Sequence, residues 1–333
     1  MPSSRAVLAM ASLALAALVA CEGCKGRDEP ATAQAPEATK KAPTYMRVWS
    51  LGTSEQGDAG IPPAEELGHS LDLITDATRL LLAGELDREN RYPSTVVVHT
   101  SVNGQEKRCS GVLLDRRVVL TTGHCVCAQQ TSAQPNGKPQ ALFDPANCAK
   151  TANVKTIMYT PAKGIPDGAN SSTNLYSGPV QPHPRFKVLL DEMGGVVSSV
   201  ADLAVIRLKS PVEEKVTPVA LANTEAQPLE SILIVGQAYD EIEDIYDEGR
   251  RFSKNTVTRS PVPDDERILV KQPGGHTYKG DSGGPCLRER SGHTELIGVS
   301  SRKLGTGAAC TSIHAHRDWL RAEIQRAEGS PGR

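Results

Sequence analysis

The chain has 333 residues, 38 % hydrophobic and 23 % charged, enough apolar material for a buried core and outside the range of disordered or fibrous proteins. Its 37 Lys+Arg against 39 Asp+Glu leave a net charge of −2, so no bulk basic field exists to hold a polyanion and nucleic-acid binding is disfavoured. With 29 Gly, 23 Pro, 4 % aromatic residues and no repeat of fixed period, the composition suits many short strands and turns rather than a helical array, solenoid or propeller.

Residues 6–20 form an uncharged apolar run behind Arg5, too short for an ordinary spanning helix and of the length of a signal h-region, so residues 1–20 are expected to be removed on export. The run ends in Leu18-Val19-Ala20-Cys21, which resembles the lipobox of bacterial lipoproteins. That resemblance implies acylation of Cys21, attachment to a membrane through the lipid, and residence in the cell envelope. Glu22 rather than Asp follows the Cys, which by the same resemblance directs the protein to the outer membrane where the source has one. An ordinary secretory signal is the alternative. Residues 22–66 hold Ala, Pro, Glu, Thr, Lys and Gly with almost no periodic apolar residue, so they cannot offset their ordering entropy by burial. Residues 21–80 therefore read as a flexible tether or propeptide, and apolar density returns beyond Leu71.

Within the globular part, the β-rich runs 94–102 and 105–114 flank Asn103-Gly104, the strongest short hairpin signal. Further strands are expected at 118–122, 203–208, 231–235, 255–259, 268–271 and 295–301. Short strands separated by Pro, Gly and Asp indicate an all-β sandwich or barrel. A closing helix is expected over Arg317 to Ala327, with Trp319, Leu320 and Ile324 on one face. The acidic stretch 240–248 lacks the residue order of a calcium cage and reads as a solvated loop. Cys125, Cys127 and His124 lack a second ligand pair, and His314 and His316 have no further ligand beside them, so no metal or cofactor is expected. Eight Cys in an exported chain read first as disulfides, with Cys21 reserved for lipid and Cys24 in the tether left over.

Three segments carry chemistry. Thr121-Thr122-Gly123-His124-Cys125, Ala201-Asp202-Leu203-Ala204-Val205-Ile206-Arg207-Leu208 and Gly280-Asp281-Ser282-Gly283-Gly284-Pro285 resemble, in sequence and order, the His, Asp and Ser motifs of the chymotrypsin/trypsin-like serine proteases. The resemblance runs from about Leu81 to Ile324. It implies two packed six-stranded antiparallel β-barrels with a C-terminal helix: a first barrel over 81–220 carrying His124 and Asp202, and a second over 221–327 carrying Ser282. It also implies a bridge Cys109–Cys125 beside the His. Cys127 with Cys148, closing an inserted loop, and Cys286 with Cys310, across the second barrel, complete the pairing. The implied activity is endoproteolysis of polypeptide substrates.

The chemistry stands apart from the name. A serine hydroxyl is a weak nucleophile at neutral pH and needs a base, and an imidazole can take its proton and return it to a leaving amine. Ser282 is the expected nucleophile and His124 the shuttle. Asp202, whose strand continues apolar immediately afterwards, is expected to hold the ring in the productive tautomer. The N–H groups of Gly280 and Ser282 are expected to form the oxyanion hole. His69, His99, His183, His293, His314 and His316 lack such neighbours in sequence and read as structural.

By the same resemblance, cleavage near Arg79-Leu80-Leu81 by an activating protease would free an ammonium that pairs with Asp281. A plain uncleaved strand is the alternative. His276 falls at the base of the primary specificity pocket, where a trypsin-like preference requires an Asp, so Arg and Lys are not the expected residues before the scissile bond. Tyr278 replaces a Cys framing that pocket, Arg302 and Lys303 depart from the family pattern, and Ser301 is expected to contact substrate. The rival functional reading is a surface-anchored binding protein on the protease fold with impaired catalysis. An α/β-hydrolase needs the order Ser, Asp, His, the reverse at both ends of the order found.

Overall fold

The computed structural model describes residues 84–133, 139–162, 169–240, 245–271, 281–290, 292–301 and 308–329, beginning just before the short strand β1 (Glu85–Leu86). Cys21, Cys24, the tether, Arg79 to Leu82, His276, Tyr278, Gly280, Arg302 and Lys303 lie outside the described residues. Next come β2 (Thr95–Val102) and β3 (Gln105–Asp115), paired from Val102↔Gln105 to Thr95↔Val112. Asn103 and Gly104 between them both take positive φ, 53° and 74°, the two-residue turn whose twist matches its strands. The first half continues through β4 (Val118–Thr121), a one-turn helix α1 (Gly123–Val126), β5 (Gln130–Ala133), β6 (Pro139–Phe143), β7 (Thr151–Pro161), β8 (Ala169–Pro182), β9 (Lys187–Leu190), β10 (Val196–Val200) and β11 (Ala204–Arg207). The second half holds β12 (Ala220–Leu221), β13 (Ser231–Asp240), β14 (Ile245–Arg259), β15 (Arg267–Lys271), β16 (Pro285–Arg290), β17 (His293–Ser301), β18 (Ala308–Ser312) and helix α2 (Arg317–Glu328).

In the first half, β11-β4-β3-β2-β7-β8 form a closed antiparallel barrel, β8 pairing back onto β11. The second half runs β14-β13-β16-β17-β18-β15, and β15 pairs back onto β14, so six strands again make a ring. β1 adds to the β14 edge, and β12 lies parallel to β17. This is the expected fold, with one addition: β10-β9-β6-β5 form a separate four-stranded antiparallel sheet built from two segments of the first half, 130–143 and 187–200.

The apolar runs of β3, β4 and β11 are nearly continuous because both faces of these strands are buried. Leu113, Val119 and Ile206 point into the first barrel, while their neighbours Val112, Leu120, Leu203 and Val205 join a second cluster with Leu233, Val235, Leu287 and Val299 of the other ring. Alternate residues of a strand face opposite ways, so one short run fills the barrel interior and also glues the two barrels together. Leu320 of α2 is fully buried in that inter-barrel cluster, with Trp319 and Ile324 packed at its margin, as the helical face predicts. Cys109–Cys125, Cys127–Cys148 and Cys286–Cys310 are disulfides. At the acidic stretch, expected as a loop, the flanking residues are strand, β13 and β14 pairing through Tyr239↔Tyr246 and Asp240↔Ile245, while 241–244 lie outside the described residues.

Candidate active site

β4 and β11 pair with Thr121 opposite Ala204, so α1, which follows β4, meets the turn that precedes β11. His124 is thereby brought against Asp202 across 78 residues of sequence. Its backbone N–H donates to Asp202 Oδ1 at 3.0 Å, and its ring Nδ1 lies 2.8 Å from Oδ2. A carboxylate only accepts, so Nδ1 carries the proton of this bond and the ring is oriented by it. Ser301, at the end of β17, donates its hydroxyl to the same Oδ2 at 2.8 Å. Asp202 has no exposed surface. Burial alone would push its carboxyl up, but the His124 charge, the ring and backbone N–H bonds and the Ser301 hydroxyl together hold it below the usual carboxylate range.

Two further contacts hold His124. Lys107 of β3 donates its ammonium to the carbonyls of His124, at 2.9 Å, and Cys127, at 2.6 Å, capping the C-terminal end of α1. Phe143, on the additional sheet, meets the His124 ring edge to face at 6.1 Å between centroids.

Ser282 is partly exposed in the turn entering β16, and its carbonyl accepts from Ser110 N at 2.8 Å and lies 3.6 Å from Cys125 Sγ, beside His124. The turn is closed by Gly284 N to Asp281 O at 2.8 Å and fixed to β17 by Gly283 N to Ser300 O at 2.7 Å. Gly283 sits at φ 85°, where a Cβ would fall 2.1 Å from Thr121 Oγ1 and 2.2 Å from Ser110 O. Only glycine lets this turn press so closely on the first barrel. Asp281 beside it is buried, and that burial pushes its carboxyl up to about 7. Among the described residues no cation reaches it.

The structure thus brings His124, Asp202 and the Ser282 turn to one place where the two barrels face each other. Sequence reading missed the Ser301 hydroxyl on Asp202, having given that residue only a contact to substrate, and missed Lys107 and Phe143 altogether. None of the three carries a local signal, since each acts on a partner distant in sequence. The trypsin family model matches residues 83–320, most of the chain and all of the site just described. The chain belongs to the trypsin family. A CLIP domain-containing serine protease, B15 of Anopheles gambiae, is 24 % identical to this trypsin-family chain over 269 residues, spanning 71 % of it and 67 % of the relative. Among solved structures, one described as "Structure of GrC" matches with a TM-score of 0.52 at 16 % identity, over 72 % of this chain and 97 % of that one, a likeness of fold.

Proposed function

We propose that the protein is a serine endopeptidase that hydrolyses peptide bonds through an acyl-enzyme. Ser282 Oγ attacks the scissile carbonyl while His124 Nε2 takes its proton. The N–H groups of Gly280 and Ser282 receive the developing oxyanion. The intermediate collapses as His124 returns the proton to the leaving amine, and water, deprotonated in turn by His124, releases the acid and restores the serine. The observation that carries this reading is the double hydrogen bond from His124 to buried Asp202, completed by Ser301. A histidine with only a packing role does not need both its backbone and its ring tied to one carboxylate.

The reading extends to the segments outside the described residues: lipid attachment at Cys21 on the cell envelope, activation by cleavage near Arg79-Leu81, and a specificity other than Arg or Lys set by His276. Cleavage there would also part the protease from its lipid. A fluorophosphonate probe tests the core of it. Wild-type protein, taken both full-length and with its new N-terminus at Leu80 or Leu81, is expected to be labelled and to digest casein. Ser282→Ala should do neither. Failure of both wild-type forms to react, with the fold intact by circular dichroism, would establish the rival reading of a non-catalytic binding protein.

A further inference from the structure

The peptide immediately before Asp202 is strained. Ala201 is fully buried and sits at φ 48°, the left-handed region that an L-residue disfavours, and Leu203 N turns straight back onto Ala201 O at 2.6 Å. Such a conformation persists only where its surroundings over-determine it. Here the surroundings are supplied by the second barrel. Ala201 N donates to Glu266 Oε2 at 2.6 Å, a charge-assisted bond to a carboxylate that lies just before β15. The neighbouring backbone is stitched down as well, by Glu266 N to Ser199 O at 3.1 Å and Ser198 Oγ to Asp264 O at 3.0 Å.

Resting on the reading of Asp202 as the partner of a catalytic His124, we propose that Glu266 is a positioning residue for that carboxylate, holding from the second barrel the strained Ala201 peptide that aims Asp202 at the His124 ring. The rest of its environment is arranged for this. The same Oε2 receives His316 Nε2 at 2.8 Å, and Oε1 faces Arg185 Nη2 at 3.3 Å. Burial alone would push the Glu266 carboxyl up, but the His316 bond and charge, the Ala201 N–H and Arg185 hold it below its ordinary range, so it is an anion when it meets the peptide. The His183 ring packs edge to face on His316, the partner of Glu266, and on Trp319, with centroids 4.7 and 4.6 Å apart. His183 is neutral there: burial, then the charges of His316 and Arg185, push it down to about 4 against the pull of Glu266, and its Nδ1 accepts from Arg185 N at 3.1 Å.

A carboxylate satisfied by His316 and Arg185 alone would be a structural ion pair. The third bond makes the difference, because it lands one residue from a catalytic group whose two oxygens already have fixed partners. A misplacement of about 1 Å at such a site costs on the order of 100-fold in rate.

The test follows fluorophosphonate labelling of Ser282 in the mature exported protein, separating the limiting rate, the apparent affinity and the final amplitude. Glu266→Ala is expected to slow the limiting rate 10- to 100-fold, with affinity within threefold and amplitude complete. Glu266→Gln, whose amide oxygen can still accept from Ala201 N–H, should return to within threefold of wild type. Glu266→Asp keeps the charge but is a methylene too short, so it should fall between the two; it decides the matter if the alanine variant does not fold. A purely structural role would reduce amplitude or melting temperature and leave the rate per labelled site unchanged, and that result overturns the inference. So does a glutamine variant as slow as alanine. Unreactive wild type sinks the catalytic reading, and the inference with it; reactive wild type with an equally fast Glu266→Ala sinks the inference alone.

Discussion

Asp202 and Asp281 are both buried carboxylates, and their surroundings push them in opposite directions. Asp202 has donors on both oxygens and stays an anion, whereas Asp281 has burial alone acting on it and is raised to about 7. Opposite pH dependences follow. The stabilisation by Asp202 is present above the unfolded carboxylate range and is lost as pH falls through its depressed value. For Asp281 the folded state binds the extra proton between about pH 4, where an unfolded Asp titrates, and about pH 7, so its contribution falls as pH rises through that window. His183, lowered to about 4, adds the contrary trend: stability rises with pH from about 4 to about 6.5. The informative quantity is therefore the difference between Asp281→Asn and the parent chain. In the full-length protein, the urea midpoint of the variant should gain on the parent steadily from about pH 4 to about pH 7. An unchanging difference would show that Asp281 has a cationic partner in that form.

At the scale of elements, α1 is too short to persist by itself, since helix nucleation needs more turns than one to become favourable. It is held by the Asp202 bonds at its start and by Lys107 at its end. Lys107→Met removes both bonds to carbonyls and the ammonium that lies 5.3 Å from the Phe143 ring centroid. A loss of about 2 kcal/mol is expected, read as a lower denaturation midpoint together with slower labelling of Ser282. The elements themselves were unevenly legible. The β2–β3 hairpin could be read outright, because Asn-Gly between β-rich runs encodes both turn and register. β8 could not: its 14 residues, rich in Ser and Asn and half of them exposed, show no apolar period, and it is a strand because β7 offers eleven partners in register. β5, β6, β9 and β10 are hidden for a related reason. They are four or five residues long, and what makes them a sheet is the mutual pairing of two segments remote in sequence, such as Leu142↔Leu189 and Phe143↔Val188.

Across the whole molecule, one buried ion pair ties together three parts that are remote in sequence. Arg250 of β14 donates from Nε to Asp87 Oδ2 at 2.7 Å, from Nη1 to Ile157 O of β7 at 2.8 Å, and from Nη2 to Asn90 Oδ1 at 3.1 Å. The entering strand and both barrels therefore share a single guanidinium. Removing one partner of such a pair strands a charge, which costs about 3–5 kcal/mol, whereas replacing both by apolar groups can be nearly neutral. Asp87→Asn should accordingly lower the unfolding free energy in urea by that amount, and adding Arg250→Met should recover most of it. A double variant as unstable as the single one would mean that the pair stabilises the junction outright.

What the amino-acid order determined by itself is local or modular: the turn at Asn103-Gly104, the apolar runs of the barrel strands, the helix at the C-terminal end, the three motifs and their succession, and hence the family. Each is written in adjacent residues, where periodicity and motif spacing have direct physical meaning. The tertiary structure alone decided which distant groups hold the motifs in place. Ser301 reaches Asp202 over 99 residues and Glu266 reaches Ala201 over 65, and neither has a sequence neighbour that marks it. The reason is geometric: once the cluster of Leu120, Leu203 and Val235 packs the barrels together, side chains at their facing ends are within bonding distance whatever their separation along the chain.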